Sequence, residues 1–263
     1  MTDVLVAIYR WVFGRVLFRR FNTILHRFSL AGLGVLNYKS PRASGEYSFL
    51  KKYISPITSP VVIDVGANVG GYSKLLRSLN SSAIIHAFEP HPKTFSVLLK
   101  EFGDTEGIYL NNSAVGHEPG VLTLYDYSVN DGSEHASLYK EVIESIHKSD
   151  VIEHRVQVVT VSEYCDLVGI DHIDLLKIDT EGHELAVILG AAPIISERRV
   201  RIIHFEFNEM NVISRTFLRD FISALPNYKL YRLLPGGMLS LMGCSAFHSE
   251  IFAYQNIVAL LDE

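Results

Sequence analysis

Residues 61–71 read VVIDVGANVGG and contain the pattern that decides the fold. An unbroken apolar run ends in Asp64, a turn with glycine at positions 66, 70 and 71 follows, and residues 72–79 return to helical spacing. A short apolar run without alternation is typical of a strand buried on both faces. Glycines between strand and helix let backbone N–H groups approach a ligand closely, and Asn68 is a residue type that tolerates a left-handed turn. The stretch therefore predicts a nucleotide-type cofactor site at the carboxyl end of a first parallel strand.

The rest of the chain repeats this alternation of strand and helix. Strands are predicted at residues 61–65, 83–88, 108–110, 173–178 and 200–207, and helices at residues 72–79, 93–102, 184–189 and 217–225. Such alternation implies parallel strands joined by right-handed crossovers. Near the end, residues 228–234 and 238–242 flank a Pro-Gly-Gly turn and indicate an antiparallel pair at one edge. The strand–helix alternation is interrupted in residues 116–170. This segment is interpreted as an insertion at the ligand edge of the sheet, with extended segments at 121–127 and 156–161.

Composition and charge limit the class of protein. The chain has 263 residues, of which 48% are hydrophobic and 20% charged, and this suits one large domain with an extension. The net charge of −5 gives no sign of a nucleic-acid partner. Cys165 and Cys244 show neither metal spacing nor a disulfide pattern, so we expect a reducing, cytoplasmic setting. No apolar run reaches the roughly 18 residues of a spanning helix, and arginines interrupt the segment where a signal peptide would lie.

The first 40 residues form a basic N-terminal segment on an otherwise acidic chain. Six Lys and Arg residues stand there against one acid, which leaves a net charge of −10 on the remainder. Residues 3–30 carry apolar side chains at helical spacing with arginines between them, and residues 30–38 and 40–44 are predicted as loop. One interpretation is a helix lying on an anionic membrane surface. The alternative, favoured by the general preference for packing, is a helix that packs on the body, covers the active-site mouth or pairs with a second subunit.

An acid follows the second predicted strand at the spacing that nucleotide sites use. Glu89 lies 19 residues beyond Gly70, where such units place the carboxylate that accepts hydrogen bonds from ribose hydroxyls. Taken separately, the turn could be a plain loop and Glu89 an exposed acid at a helix start. Asn68 stands where a dinucleotide turn has glycine for contact with pyrophosphate. Asp64 would repel pyrophosphate but could help to hold an amino-acid ammonium group, so the pair favours S-adenosylmethionine over NAD.

A second polar cluster follows the predicted strand beyond the insertion. Residues 176–184 read LKIDTEGHE and bring Asp179, Glu181 and His183 together next to a glycine. In a doubly wound sheet this position lies at the ligand crevice, where one of these side chains could remove a proton from a substrate hydroxyl. Alternatively, Asp179 with a carboxylate from another strand, such as Glu206, could hold a divalent metal such as Mg²⁺. The remaining interpretation is helix capping by Asp179 or its neighbour.

Two further groups carry weaker signals. Glu206 and Asn208 alternate with phenylalanines in HFEFNE, so they share one face of a strand that could front the crevice or solvent. Ser133, His135 and Ser137 lie in the insertion and could contact a substrate or cofactor. A polar loop of any kind has the same composition.

Together these motifs resemble those of the FkbM family of methyltransferases. The matching strings are IDVGANVGGYS (63–73), FEPHP (88–92), NNSAVG (111–116), LLKIDTEGHE (175–184) and LGAAP (189–193). The resemblance covers about residues 45–260. It implies the class I methyltransferase fold, which is Rossmann-like: a doubly wound, mostly parallel seven-stranded α/β sheet with an antiparallel edge strand. It also implies S-adenosylmethionine as cofactor and methyl transfer to a hydroxyl of a sugar, polyketide or other secondary metabolite.

The resemblance also assigns roles to residues of this chain. Residues of the glycine turn would line the methionine and ribose part of the cofactor, and Glu89 would hold the ribose hydroxyls. Asn112 and Ser113 would lie near the adenine, where class I enzymes commonly have an aspartate. The candidate cofactor-binding residues are Asp64, Gly66, Ala67, Asn68, Gly70, Tyr72, Glu89, Pro90, Asn112 and Ser113. The candidate catalytic residues are Asp179, Glu181 and His183, and the candidate ligands of a magnesium ion are Asp179 and Glu206.

We therefore predict an S-adenosylmethionine-dependent O-methyltransferase whose acceptor is a sugar, a glycan or glycolipid, or a secondary metabolite. The alternatives are an NAD-dependent sugar oxidoreductase and a non-catalytic, membrane-associated binding protein that retains the fold. We expect a cytoplasmic protein without a nucleic-acid partner, with peripheral contact at the inner face of the membrane through residues 3–30 as one option and a homodimer as another. The predicted division is an N-terminal helical extension, residues 1–44, and a methyltransferase domain, residues 45–263.

Overall fold

The computed structural model describes residues 2–127 and 151–262, and these form a sheet of eight strands and a smaller sheet of three. In chain order the strands are β1 (Val61–Val65), β2 (Ile84–Phe88), β3 (Ile108–Asn111), β4 (Ala114–Val115), β5 (Gly120–Tyr127), β6 (Val151–Val159), β7 (Leu175–Ile178), β8 (Ile202–Phe207), β9 (Tyr228–Leu234), β10 (Gly237–Ser240) and β11 (Gln255–Leu261). The large sheet has the order β10-β9-β11-β8-β7-β1-β2-β3. Its strands from β8 to β3 are parallel, whereas β11 runs antiparallel to both of its neighbours.

Helices cover both faces of the large sheet. They are α1 (Thr2–Phe13), α2 (Arg19–Gly32), α3 (Pro41–Ser44), α4 (Glu46–Tyr53), α5 (Gly71–Leu79), α6 (Pro92–Phe102), α7 (Val161–Val168), α8 (Glu184–Gly190), α9 (Ala192–Ser196), α10 (Met210–Ile213), α11 (Leu218–Ala224) and α12 (Ala246–Ser249), with a 3-10 turn at Val16–Phe18. Ile63 and Val65 of β1 belong to one apolar cluster and Val62 to another. Because successive strand residues point to opposite faces, β1 is buried on both, as its unbroken apolar run predicts.

The doubly wound, mostly parallel α/β fold is confirmed, and so is the antiparallel pair at one edge. β9 and β10 are joined at the Pro-Gly-Gly turn, with Leu234 opposite Gly237. This hairpin places β10 outside β9, so the sheet has eight strands rather than the seven that the resemblance implies. The strand that reverses direction inside the sheet is β11, which lies between β8 and β9.

The strand order reverses between β1 and β7. From β1 the chain moves outward through β2 and β3, and after the insertion it returns to the other side of β1 with β7 and β8. The carboxyl ends of β1 and β7 meet there, and the N–H of Asp179 donates to the carbonyl of Val65 at 2.9 Å. In open α/β sheets a ligand crevice forms at such a switch point. The two candidate clusters of the sequence therefore lie at the same place in the fold.

The small sheet, β4-β6-β5, takes β5 and β6 from the segment interpreted as an insertion and β4 from the two residues just before it. β5 and β6 pair antiparallel from Gly120 opposite Val158 onward, so the predicted extended segments form. The second of them ends early, because Thr160 caps α7 and its hydroxyl accepts the N–H of Glu163 at 3.1 Å. Ser133, His135 and Ser137 lie outside the described residues.

The N-terminal segment is more helical than predicted. Residues 41–44 form α3 instead of loop, with the hydroxyl of Ser40 accepting the N–H of Ala43 at 3.3 Å and proline at the first helical position. None of residues 3–33 is buried. In the described part of the chain, no helix combines the length and the apolar character needed to cross a bilayer.

Candidate functional site

The turn after β1 uses left-handed backbone at three positions. Gly66, Asn68 and Gly70 have φ values of 77°, 51° and 85°, which glycine adopts freely and asparagine tolerates better than most residues. A side chain at position 66 would also clash with the main chain, because an ideal Cβ there would lie 1.7 Å from the backbone oxygen of Asp179. The N–H of Gly66 donates to the carbonyl of Phe88 at 2.9 Å. The turn thus ties the ends of β1, β2 and β7 together.

Glu89 closes the turn from the end of β2. Its Oε2 accepts the backbone N–H of Asn68 at 2.9 Å, and its Oε1 accepts that of His91 at 2.8 Å. Burial raises the pKa of the Glu89 carboxyl to about 7, although these hydrogen bonds act in the opposite direction. A carboxylate oxygen can accept more than one hydrogen bond, so a ligand hydroxyl beside Glu89 still finds an acceptor.

A cavity of about 510 Å³ lies between this turn and the end of β8. It is lined by Leu36, Tyr38, Val65, Gly66, Asn68, Phe88, Glu89, Pro90, Ser113, Ala114, Val115, Leu124, Asp179, Thr180, Glu181, His183, Glu206, Asn208, Glu209, Met210 and Tyr254. The predicted cofactor residues Gly66, Asn68, Glu89, Pro90 and Ser113 and the three predicted catalytic residues therefore border one space. Glu206 and Asn208 also face this cavity, so the carboxyl end of β8 fronts the ligand crevice and not solvent.

Three predicted cofactor residues support the turn without bordering the cavity. Ala67 is buried in the apolar cluster on one face of the sheet. Gly70 lies against Phe102, whose ring would be 2.3 Å from a Cβ on that glycine. Asn112 donates from Nδ2 to the carbonyl of Glu89 at 2.8 Å. These residues hold the strand ends in place and leave ligand contact to their neighbours.

A smaller cavity of about 190 Å³ adjoins the first. The two cavities share Gly66, Asp179, Glu206 and Tyr254, and the smaller one is also lined by Pro41, Glu46, Asp64, Gly71, Tyr72, Leu75 and Lys177. Asp64 accepts a hydrogen bond from the hydroxyl of Ser73 at 2.6 Å, and burial raises the pKa of its carboxyl to about 6. The hydroxyl of Tyr72 lies 3.2 Å from Nδ1 of His204. Asp64 and Tyr72 thus belong to this second, polar chamber.

Lys177 supplies a buried cation to the smaller cavity, and sequence reasoning missed it. The residue is 2% exposed, and its Nζ lies 3.5 Å from Oδ2 of Asp179. Burial alone would lower the pKa of Lys177, but the carboxylates around it, first Asp179 and then Glu206, raise it above its ordinary value. The available signal was a charged residue inside the apolar strand LLKI, because such a residue is buried only with partners.

Burial opposes the ionisation of two of the acids around Lys177. Burial raises the pKa of Glu46, and it raises the pKa of Glu206 well above its ordinary value, with Asp179 acting in the same direction. Burial therefore favours the protonated form of Glu206, which can donate a hydrogen bond. The side chain of Asp179 is 39% exposed and borders both cavities, so a ligand can reach it beside the ammonium of Lys177.

The loop after β7 is closed by Glu184 rather than by Asp179. Oε1 of Glu184 accepts the N–H and the hydroxyl of Thr180 at 3.0 and 3.1 Å, and the N–H of Gly182 at 3.1 Å. Helix α8 begins at Glu184 with His183 at its N-cap. Asp179 is therefore not a helix cap, and its side chain borders the cavities instead.

Glu181 and His183 border the larger cavity from this same loop. Glu181 has a left-handed backbone with φ of 52°, a conformation that is unusual for a residue with a long side chain. Burial lowers the pKa of His183 to about 4, so its imidazole is neutral at neutral pH. Both residues are close enough to the cavity to contact a ligand there.

The arrangement of the side chains does not support a metal centre. Across residues 2–127 and 151–262, no group of three or more His, Cys, Asp or Glu side chains is arranged to hold a metal ion. The ammonium of Lys177 lies where a cation beside Asp179 would sit, and burial raises the pKa of Glu206 well above its ordinary value, which opposes the ionised form that a metal needs. Asp179 and Glu206 therefore do not fit the predicted magnesium site.

The segment after α2 forms part of the cavity wall. Leu36 and Tyr38 line the larger cavity together with Tyr254. The N–H of Leu36 donates to the carbonyl of Tyr254 at 2.7 Å, and the rings of Tyr38 and Tyr254 have centroids 5.9 Å apart. No local pattern indicates this contact, because its partners lie more than 200 residues apart in the chain.

Comparison with known proteins places the matched region on this site. The family model of the methyltransferase FkbM domain matches residues 64–232, which include the turn after β1, Glu89 and the loop after β7. The 2-O-methyltransferase NoeI of Sinorhizobium fredii is 22% identical over 189 residues, which are 68% of this chain and 76% of that protein. Methyltransferase 1 of Beauveria bassiana is 28% identical over 178 residues, which are 58% of this chain and 70% of that protein.

Among solved structures, the chain is similar to a methyltransferase FkbM from Methylobacillus flagellatus KT. The TM-score is 0.49 and the sequence identity 16%. The match covers 84% of this chain but only 50% of that one, so the chain spans half the length of the solved relative.

Proposed function

The chain belongs to the FkbM family of methyltransferases, and we propose that it transfers the methyl group of S-adenosylmethionine to a hydroxyl group of a glycan or small metabolite. One observation carries this proposal. The larger cavity is bordered both by the turn after β1 with Glu89 and by the carboxyl groups of Asp179 and Glu206. A nucleotide-type cofactor and a polar acceptor can therefore meet in one space.

The residues of the turn fit the polar parts of the cofactor. Glu89 offers buried acceptors for two ribose hydroxyls, and Ser113 borders the cavity beyond it, where the adenine is expected. When bound, S-adenosylmethionine would supply an electrophilic methyl group on a positively charged sulfur. Carboxyl groups outnumber cations around the smaller cavity, with Glu46 and Asp64 added to those shared with the larger one. Such a chamber suits a ligand that carries positive charge.

Asp179 is the proposed proton acceptor for the substrate hydroxyl. One of its oxygens lies 3.5 Å from Nζ of Lys177, which positions the carboxylate, and the side chain borders both cavities. Asp179 would take the proton as the acceptor oxygen becomes the nucleophile. Burial raises the pKa of Glu206 and so favours its protonated form, which is suited to donate a hydrogen bond to that oxygen. Glu181 and the neutral His183 are the alternative bases from the same loop.

The acceptor class is inferred from the polar side chains at the carboxyl end of β8. Glu206, Asn208 and Glu209 line the larger cavity from there, and side chains of this kind pair with the hydroxyl groups of sugars through hydrogen bonds. The relative NoeI is named a 2-O-methyltransferase, which supports oxygen as the methylated atom. We therefore propose a sugar hydroxyl as the first acceptor class to test.

Two measurements test this function on the full chain. Isothermal titration should give binding of S-adenosylhomocysteine and none of NAD; the reverse result would make the chain an oxidoreductase. Transfer of labelled methyl groups from S-adenosylmethionine to a panel of glycans and small hydroxyl compounds should then yield a product labelled on oxygen. Labelling on nitrogen or carbon would overturn the choice of acceptor while leaving the cofactor assignment intact.

A further inference from the structure

The helices α1 and α2 present a large apolar surface that the described part of the molecule leaves uncovered. We call residues 3–33 the leader. Of the 27 large hydrophobic residues exposed in the described chain, 13 lie in the leader, between Val4 and Leu33. Trp11 is 75% exposed and Phe28 is 71% exposed. Isolated exposed apolar residues are common, but a cluster of this size on one segment marks a surface that meets a partner.

The leader has an internal structure of its own, so its exposure is not the result of an unformed segment. The ring of Phe13 packs against Tyr9, Phe18 and Phe21, with ring centroids 4.9 to 5.3 Å apart. The hydroxyl of Tyr9 donates to Oδ1 of Asn22 at 2.5 Å. These contacts hold α1 and α2 as a helical hairpin, and they leave the remaining apolar side chains facing outward.

The charges of the leader are arranged around this apolar surface. The helical spacing of α2 puts the exposed Ile24, Leu25 and Phe28 on one face. It puts Arg20 and Arg27 at the border of that face. Five arginines and a single acid, Asp3, lie in the leader, whereas the chain beyond residue 40 has a net charge of −10. An apolar face bordered by arginines fits the boundary between acyl chains and anionic headgroups.

We propose that the leader docks on the surface of an anionic lipid bilayer. Its helices lie in the interface and do not cross it, because neither is long enough. A second copy of the chain is the weaker candidate partner. A symmetric contact through this surface would bring two basic leaders together, and like charges in one interface oppose association.

Docking of the leader would bring the larger cavity close to the membrane. The carbonyl of Leu33 accepts a hydrogen bond from Arg232 at 3.4 Å, and Leu36, three residues on, is bonded to Tyr254 in the cavity wall. The leader is thus joined directly to the residues that border the cavity. If the proposed methyl transfer is correct, the acceptor hydroxyl belongs to a molecule held at the membrane, such as a lipid-linked glycan.

Trp11 allows a direct test, since it is the only tryptophan of the chain. The full-length protein is mixed with phosphatidylcholine vesicles with or without phosphatidylglycerol, and tryptophan emission and co-sedimentation are measured without any cofactor. We expect a blue shift and sedimentation with the anionic vesicles only, both reduced by high salt. The charge reversals Arg20→Glu and Arg27→Glu together should weaken binding about tenfold or more, whereas Lys100→Glu on α6 should not.

A matched apolar pair completes the test. Phe28→Ser should reduce binding to anionic vesicles, and Leu167→Ser, at an 83% exposed position on α7, should leave it unchanged. Binding that is absent, or equal for all variants, would overturn the proposal. A second copy on the leader would instead give emission that is already blue-shifted without lipid and that moves to the red on dilution. Because no methyl transfer is measured, these results are independent of the proposed function.

Discussion

Gly66 and Asp179 are in backbone contact at the point where the sheet reverses its strand order. An ideal Cβ on Gly66 would lie 1.7 Å from the backbone oxygen of Asp179, and the N–H of Asp179 donates to Val65, one residue before the glycine. The turn that we assign to the cofactor and the acid that we assign to the acceptor are therefore fixed to each other by main-chain atoms. A main-chain shift in one therefore displaces the other.

The first prediction concerns Gly66→Ala. The added Cβ has no free space, and the left-handed backbone disfavours alanine, so β1 and β7 must separate at their ends. We expect a loss of stability of about 3 kcal/mol or more and the loss of S-adenosylhomocysteine binding. Gly71→Ala is the matched control, because a Cβ there meets nothing within 4 Å. Thermal denaturation and titration calorimetry check both variants, and equal behaviour of the two would contradict the turn geometry.

The second prediction is a pH dependence of cofactor binding. The pKa of Glu89 is raised to about 7 by burial in the free protein, so the carboxyl is mostly protonated below that pH. Ribose hydroxyls are better held by the ionised form, which accepts at both oxygens. The affinity for S-adenosylhomocysteine should therefore rise as the pH increases from 6 to 8. Glu89→Gln should bind weakly and with a flat profile; a flat profile in the unmodified protein would rule out Glu89 as the ribose ligand.

The third prediction concerns the buried ammonium of Lys177. Lys177→Met leaves Asp179, Glu206 and Asp64 without their cation, and we expect a loss of stability of about 2 kcal/mol at pH 8, below the range for fully buried pairs because Asp179 is partly exposed. At pH 5 the loss should shrink, because Asp64, with a pKa of about 6, is then mostly protonated. Chemical denaturation at both pH values measures this.

Lys229→Met is the matched control for that experiment. Lys229 pairs with Asp262 at 2.6 Å on the surface, with both side chains about half exposed. Exposed pairs contribute little, so no measurable change in stability is expected at either pH. A loss for Lys177→Met that is the same at pH 5 and pH 8 would contradict the assigned protonation states.

The fold could be predicted because its signals are local. The apolar run of β1, the glycine turn and the spacing to Glu89 each depend on neighbouring residues, and the strand–helix alternation fixes the parallel topology. Some local signals were available but went unused. Thr160 and Glu163 form the pattern of a helix start that marks α7, and Ser40 before Pro41 marks α3.

The site was predictable only where it lies at strand ends. Glu89 and Asp179 follow strands, so topology brings them to one edge of the sheet. The wall formed by Tyr38 and Tyr254 depends on a contact between the two ends of the chain, which no periodicity records. The role of Lys177 likewise depends on which carboxylates surround it. Its neighbours Glu46 and Glu206 come from an N-terminal helix and from β8, far apart in sequence.

The most direct test of the proposed chemistry is the Asp179→Asn variant. Its rate of methyl transfer is measured with labelled S-adenosylmethionine on an acceptor found with the unmodified protein, and its affinity for S-adenosylhomocysteine is measured by calorimetry. Asp166→Asn, at an exposed acid of α7, serves as the control. If Asp179 accepts the hydroxyl proton, kcat should fall by roughly 10²–10⁴-fold while cofactor affinity stays within about threefold. A variant that keeps its turnover would contradict the account.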